Sequence, residues 1–391
     1  MFRWQSMGMR VVLALDKFKG SLTASEVTAS ARRGVLRVRP DADVVPVAVA
    51  DGGDGTIDAL VSAGFEVVPV RVDGPTGRPV QARIARHRDL AAVELADCCG
   101  LLRLPDGPAP LDAGTRGLGE AIRAAIGLDG VREVVVGLGG SASTDGGAGL
   151  LQALGVSLLN RDGLPIAAGA RGLATLASLD WAGLDPRLRG PDAVSLTVAS
   201  DVDSPLFGPR GAAATFGPQK GLTSDDIPWV DAALARLANL AEPGGRAARD
   251  RPGAGAAGGT GWALLTLGAV VLPGVDVVLK LARFPDLVAD ADLVITGEGS
   301  LDAQTLAGKT PAGVARAASG RPCVAVCGRL SLSAAQLRQV GLTDALALTA
   351  LTHDTDEAMR RAAPLVEDAV ATLVARFLSG VGAYAGGDTS H

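Results

Sequence analysis

The short apolar runs of this chain end, one after another, in glycine together with Asp, Glu, Ser or Lys. "VVLALD" (11–16) gives way to "KFKGS", and "DVVPVAVA" to "DGGDG". "VREVVV" is followed by "GLGGSASTDGG", "SLTVAS" by "DVDSPLFGPRG", and "DLVIT" by "GEGSLD". Continuous apolar runs of this length read as parallel strands covered on both faces. Open parallel sheets bind ligands outside the carboxyl ends of their strands, where helix N-termini also aim their N–H groups. The pattern therefore predicts an α/β protein whose polar loops carry the chemistry.

Segments with helical spacing lie between the runs. "LTASEVTASARRGVLRV" has Ser21 or Thr23 as its cap, and "TIDALVSAG" closes at Gly64. From about Gly74 the texture changes. "FEVVPVRVDGPTG", "RPVQARIARH" and "DLAAVELADCC" read as three strands on short turns. Val80, Ala82 and Ile84 share one face, the mark of an antiparallel or mixed sheet. The strand–helix rhythm returns with "DLVITGEGSLD", "PCVAVCG" and "DALALTA". A chain of 391 residues has room for two domains. We expect a discontinuous doubly wound, Rossmann-like domain from 1–73 and 275–378, an inserted second α/β domain from 74–274, and a disordered tail at 379–391.

The formal net charge of −5 weighs against a nucleic-acid or anionic-membrane partner, and 3% aromatics leave no platform for stacking bases. The uncharged stretch 252–275 is broken by glycines and Pro273. Its dense part, "WALLTLGAVVL", is too short to span a bilayer and reads as a core helix. "MFRWQSMGMR" has no apolar signal-peptide core, and Met9 stands as an alternative start just before the first strand. Four cysteines, Cys98, Cys99, Cys323 and Cys327, fit buried free thiols in a reducing, cytoplasmic setting better than a disulfide or zinc framework.

In "GLGGSASTDGG", Gly137, Gly139 and Ala142 match a loose dinucleotide fingerprint, with Asp162 about 20 residues on. A dinucleotide loop needs little besides glycine, so Ser141, Ser143, Thr144 and Asp145 are surplus to it. They suit a phosphate or a hydroxy-acid; a plain capped turn is the structural alternative. Ala303 to Thr310 approaches a Walker A loop but has alanine at its first position and "GEGSLD" between it and the strand. Lys309 is then a loop lysine near phosphate rather than part of a P-loop. "DKFKGS" offers Lys17 and Lys19 at a strand–helix junction, where a lysine neutralises phosphate as a point charge. The acid pairs Asp51/Asp54, Asp201/Asp203 and Glu298/Asp302 suit Mg²⁺, although aspartate also favours turns for its own reasons. Histidine is confined to His87, His353 and His391, none beside a nucleophile motif, which disfavours hydrolase triads and His₃ metal sites. Glycine loops, lysines and carboxylates remain, the toolkit of phosphoryl transfer.

Five blocks, "DKFKGSLTASEV", "ADGGDGT", "GLGGSASTDGGAGLLQALG", "SDVDSPLFGPRGAAATFGPQKG" and "ITGEGSLDAQTLAGKTPAGVA", together resemble the bacterial glycerate kinase family, in the same order from about Val11 to Leu378. The resemblance implies ATP-dependent phosphorylation of D-glycerate to 2-phosphoglycerate with Mg²⁺. It also implies a flavodoxin-like domain built from both chain ends and an inserted α/β domain. On this footing Lys19 is expected to neutralise phosphate charge and Asp145 to act as base for the glycerate hydroxyl. Gly139, Gly140, Ser141, Ser143, Thr144 and Lys309 are expected to hold the substrate carboxylate or the phosphoryl group, and Asp201, Glu298 and Asp302 the metal. The alternatives are a kinase giving 3-phosphoglycerate, a kinase for another small hydroxy-acid, and a non-enzymatic glycerate-binding regulator. The expected partners are small molecules, with a homo-oligomer left open.

Overall fold

A computed structural model describes residues 8–242, 248–306, 308–352 and 354–380. Apart from Ser379 and Gly380, the expected tail lies outside the described residues. The chain divides into two compact units, one made of the chain ends up to Ala50 and from Val275, the other of Asp51–Gly274.

The chain-end unit holds a five-stranded sheet: β1 (Arg10–Leu15), β2 (Asp43–Pro46) and, after the central unit, β11 (Leu293–Leu301), β12 (Cys323–Leu330) and β13 (Asp344–Ala347). Its order is β13-β12-β11-β1-β2, and every pairing is parallel. Counted within the unit this is 2-1-3-4-5, the flavodoxin-like order, whose switch point falls between β1 and β11. The unbroken apolar run of β1 follows from its central place. Val12 and Ala14 enter the core on one face, and Val11, Leu13 and Leu15 the core on the other. The helices Ala24–Val38 and Ala362–Ser379 cover the second face through Val27, Ala31, Val35, Leu365, Ala369 and Leu373. Thr23, rather than Ser21, caps the first of these, in a capping box with Glu26.

The central unit holds a six-stranded sheet: β3 (Glu66–Asp73), β4 (Pro79–His87), β5 (Leu90–Glu94), β6 (Glu133–Gly137), β9 (Ser195–Ala199) and β10 (Val270–Leu272). A small antiparallel ribbon, β7 (Ser157–Leu159) with β8 (Ser178–Asp180), lies outside it. The order is β10-β9-β6-β5-β4-β3, with the first four strands parallel and β3 and β4 antiparallel, the mixed sheet expected from the alternation. This unit begins at Asp51, earlier than residue 74. The reason is pairing: β3 zips along β4 from Glu66 to Asp73, and the helix Thr56–Ser62 is tied by its N-terminus to Glu94 of β5.

Two further segments differ from the sequence reading. "GEGSL" is not a loop, because β11 runs on to Leu301 with Ser300 and Leu301 registered on Arg329 and Leu330 of β12. Stretch 252–275 supplies the helix Ala256–Thr266, kinked by left-handed Ala257, Gly258 and Gly259, and then the edge strand β10. Among the described residues no helix is long and apolar enough to cross a membrane.

Candidate active site

In the central unit three loops meet at the carboxyl ends of β6 and β9. The loop Asp51–Gly55 lies against Gly137–Gly140 so closely that a Cβ on Gly139 would stand 2.2 Å from the Cα of Gly53. A Cβ on Gly52 would stand 2.5 Å from the carbonyl oxygen of Ala199, the last residue of β9. Here the glycines are required by backbone meeting backbone, which leaves no room for a side chain. Asp201, following β9, is fixed by the Gly274 N–H at 2.9 Å. Asp51, Asp54, Asp201 and Gly140 are exposed at this meeting point, and Gly139 is half-buried.

The rest of the glycine loop points inward. Ser143, Thr144 and Asp145 are fully buried and Ser141 nearly so. The Ser143 and Thr144 hydroxyls have no hydrogen-bond partner among the described residues. As placed, neither hydroxyl reaches solvent, so the expectation that both bind substrate directly is not met. Asp145 departs further from its expected role. Its Oδ2 accepts from the Thr115 N–H at 3.0 Å, the Thr115 hydroxyl at 2.8 Å and the Gly149 N–H at 3.2 Å, and its Oδ1 from the Gly147 N–H at 3.1 Å. It thereby ties Thr115, the N-cap residue of helix Arg116–Ile126, to Gly147 and Gly149 at the start of helix Ala148–Ala153. Burial raises its pKa while these bonds oppose the rise. With Oδ2 fully engaged and the whole group shut from solvent, the carboxylate presents no exposed lone pair to a substrate hydroxyl.

Lys220, in "GPQKG", was not singled out from the sequence. It is buried beneath the glycine loop, where its ammonium donates to the Ser141 hydroxyl at 2.7 Å and the Ser143 carbonyl at 2.5 Å. Burial pulls its pKa down to about 7, against the pull of Asp145. One signal could have found it: the chain has five lysines among its 37 basic residues, so a lysine here is a rare choice over arginine. Glu94 was also missed. Its two oxygens accept from the Gly55 N–H at 3.1 Å and the Ile57 N–H at 3.0 Å, and burial, with Asp54 and Asp97 adding to it, pushes its pKa up to about 7.

In the chain-end unit the polar groups gather at the switch point. Asp16 follows Leu15, which is registered on Gly297, and the Asp16 N–H donates to the Gly297 carbonyl at 3.0 Å. Asp16, just past the end of β1, and Glu298, within β11, are thus neighbours at the switch point. Burial pushes Glu298 up to about 7; the Thr305 hydroxyl at 2.9 Å and Lys309 lower it, and Asp16 and Asp302 raise it. Lys309 is the N-cap of helix Thr310–Ala317, and the Thr310 hydroxyl donates to Asp16 at 3.4 Å. Lys19 lies exposed in the loop after β1. Glu298 and Asp302 belong to the chain-end unit and Asp201 to the central one, and no group of three or more His, Cys, Asp or Glu among the described residues could hold a metal. The dinucleotide reading also lapses, because Asp162 sits in the tight turn that follows β7, its N–H donating to the Asn160 side chain.

The model of the glycerate kinase family matches residues 11–378. The chain belongs to the glycerate kinase family. Glycerate kinase from Bacillus subtilis strain 168 is 44% identical over 367 residues, covering 92% of this chain and 95% of that one. Glycerate 2-kinase from Escherichia coli K12 is 39% identical over 363 residues, covering 90% and 94%. The crystal structure of a protein described as glycerate kinase 2 from Salmonella typhimurium LT2 matches with a TM-score of 0.78 at 39% identity, over 96% of this chain and 99% of that one. The α/β architecture with mostly parallel sheets is therefore that of a glycerate kinase family member.

Proposed function

We propose that this chain transfers the γ-phosphoryl group of ATP to a hydroxyl of D-glycerate, with 2-phosphoglycerate as product. The bond from the γ-phosphorus to the β–γ bridging oxygen breaks, a bond to the glycerate oxygen forms, and the hydroxyl proton passes to a carboxylate or to solvent. The observation that carries the reading is the flavodoxin-like switch point. There Asp16 and Glu298 stand side by side, with Lys309 and Thr310 against them, in a chain of the glycerate kinase family.

Mg²⁺ usually takes one or two carboxylates and completes its shell with water and phosphate oxygens. Two neighbouring carboxylates, one of them buried and repelled by the other, fit that need. Asp16 and Glu298 would hold the ion, which would supply charge neutralisation at the phosphates. Lys19 and Lys309 serve the phosphates as point charges. On the central unit, Gly139, Gly140 and Ser141 form the acceptor surface, and Asp54 and Asp201 are the exposed carboxylates able to accept a hydroxyl hydrogen. Asp145 and Lys220 act as positioning residues, holding that surface from beneath. Four free, buried cysteines, with burial pushing Cys99, Cys323 and Cys327 up to about 12, support a cytoplasmic setting.

The test is ADP formation from ATP, Mg²⁺ and D-glycerate, followed by phosphorus NMR of the product. An ester at carbon 2 splits the signal into a doublet and one at carbon 3 into a triplet, since the two carbons carry one and two hydrogens. A triplet would move the reaction to the 3-position. No ADP from a folded sample would end the kinase reading.

A further inference from the structure

Beside the switch point the chain-end unit contains a cavity of about 190 Å³ that none of the groups discussed so far fills. It opens at the carboxyl ends of β1, β11, β12 and β13, with the helix Thr355–Arg360 as its far wall. Its lining has two chemistries. Phe18 (2% exposed), Leu348 (1%) and Ala358 (5%) form an apolar floor, and Met359 lies across the lip at 45% exposure. Lys19 and Arg329 stand at the rim, both exposed, and neither is in an ion pair among the described residues. Lys19 is three residues from Asp16, and Gly299 and Ser300, which also line the cavity, directly follow Glu298.

We infer that this cavity holds the purine base of the nucleotide, an inference that rests on the kinase reading above. Size is the first argument. Sites that enclose a whole drug-sized ligand run to about 300–1,000 Å³, so this cavity takes a flat bicyclic ring and leaves a sugar and its phosphates outside. Polarity is the second. A floor of Phe, Leu and Ala with a pliable Met at the lip suits the faces of an aromatic ring, and thioether–aromatic contacts are favourable. Direction is the third. With the base in the cavity, the phosphates leave past Lys19 and Arg329 toward Asp16 and Glu298, so that cations, and then the carboxylates proposed for Mg²⁺, meet the triphosphate in the order its charge requires. A hydroxy-acid such as glycerate has no surface to match the apolar floor.

The experiment is titration of ADP into the wild type, Ala358→Phe and Met359→Asp by calorimetry, with KM for ATP and for glycerate measured beside it. Ala358→Phe fills the cavity; Met359→Asp puts a carboxylate at its mouth from an exposed position, so that folding is not at stake. We expect both variants to bind ADP at least tenfold more weakly and to raise KM for ATP by a similar factor, with KM for glycerate within twofold of wild type. Should Ala358→Phe lose its thermal transition, Met359→Asp alone decides. Unchanged ADP affinity in a folded variant overturns the cavity assignment and leaves the kinase reading intact. Weakened ADP binding in both variants, from a wild type that never phosphorylates glycerate, overturns the kinase reading and leaves the cavity as a nucleotide site.

Discussion

Asp145→Asn separates two roles for one carboxylate. The asparagine keeps one acceptor oxygen. Placed at the Oδ2 position it retains the two Thr115 bonds and the Gly149 bond, but its NH₂ group then faces the Gly147 N–H, donor against donor. A buried donor left without an acceptor costs about 1–3 kcal/mol. The three surviving bonds change from charge-assisted to neutral, which roughly halves their strength. The negative charge shared by two helix N-termini also disappears, a loss of about 0.3–1 kcal/mol at each. The raised pKa means that relief from burying a charge at least matches the lost charge-assisted terms, which leaves the unsatisfied donor, a net loss of about 1–3 kcal/mol. At about 2–4 °C per kcal/mol for a unit of this size, Tm should fall by about 2–12 °C. The assay is thermal unfolding by circular dichroism, with kcat and KM measured well below the variant's midpoint. Under the positioning role the folded variant keeps kcat within about tenfold. An unchanged Tm with kcat down by the 10²–10⁴ typical of a lost general base would refute the reasoning and return Asp145 to the chemistry.

Lys220→Met tests the buried ammonium through pH. A base whose pKa falls from 10.5 to about 7 on folding leaves the unfolded chain holding more protons between those values, so stability rises with pH across that window. The rise amounts to roughly 5 kcal/mol in all, and the methionine variant should lack it; parallel Tm-versus-pH curves from pH 7 to 10 would contradict the assignment. Gly139→Ala should force the loops apart, lowering Tm and cutting kcat/KM for glycerate at least tenfold, because its Cβ would fall 2.2 Å from Gly53 Cα. Gly77→Ala serves as control: nothing lies within 4 Å of its Cβ, so only a left-handed backbone (φ 79°) is strained, about 1–2 kcal/mol. Equal effects of the two on kcat/KM would remove the case for loop contact.

The outline of the fold could be read from the sequence because burial on both faces leaves a local mark, the unbroken apolar run, and because glycine with a carboxylate marks a strand's end. Register across units of chain leaves no such mark. "FEVVPVRVD" and "PVQARIARH" read as neighbours on a short turn, but nothing local ties the helix ahead of them to Glu94 in the same unit, which is why the sequence reading places the boundary at 74 rather than 51. The site divided the same way. That "GLGGSASTDGG" packs tightly could be anticipated from its glycines, but which hydroxyls face solvent depends on what lies below. Lys220 and Thr115, distant in sequence, hold Ser141, the Ser143 carbonyl and Asp145 from beneath. Residues capable of catalysis and residues that brace a loop are the same types, and only burial tells them apart.

The central strand of the chain-end sheet has a consequence for synthesis. β1 is made well before its sheet neighbour β11; the Arg10 N–H bonds the Asp292 carboxylate, 282 residues on. At about 5–20 residues per second, the ribosome delivers that partner about 15–60 s after β1 has emerged. Over that interval a strand apolar on both faces has only β2 and the helix Ala24–Val38 beside it. The whole of Asp51–Gly274 is meanwhile available to fold. The nascent chain therefore carries a completed second unit while its first strand is still an open edge, which makes residues 10–15 the segment most exposed to mispairing and the natural client of a chaperone.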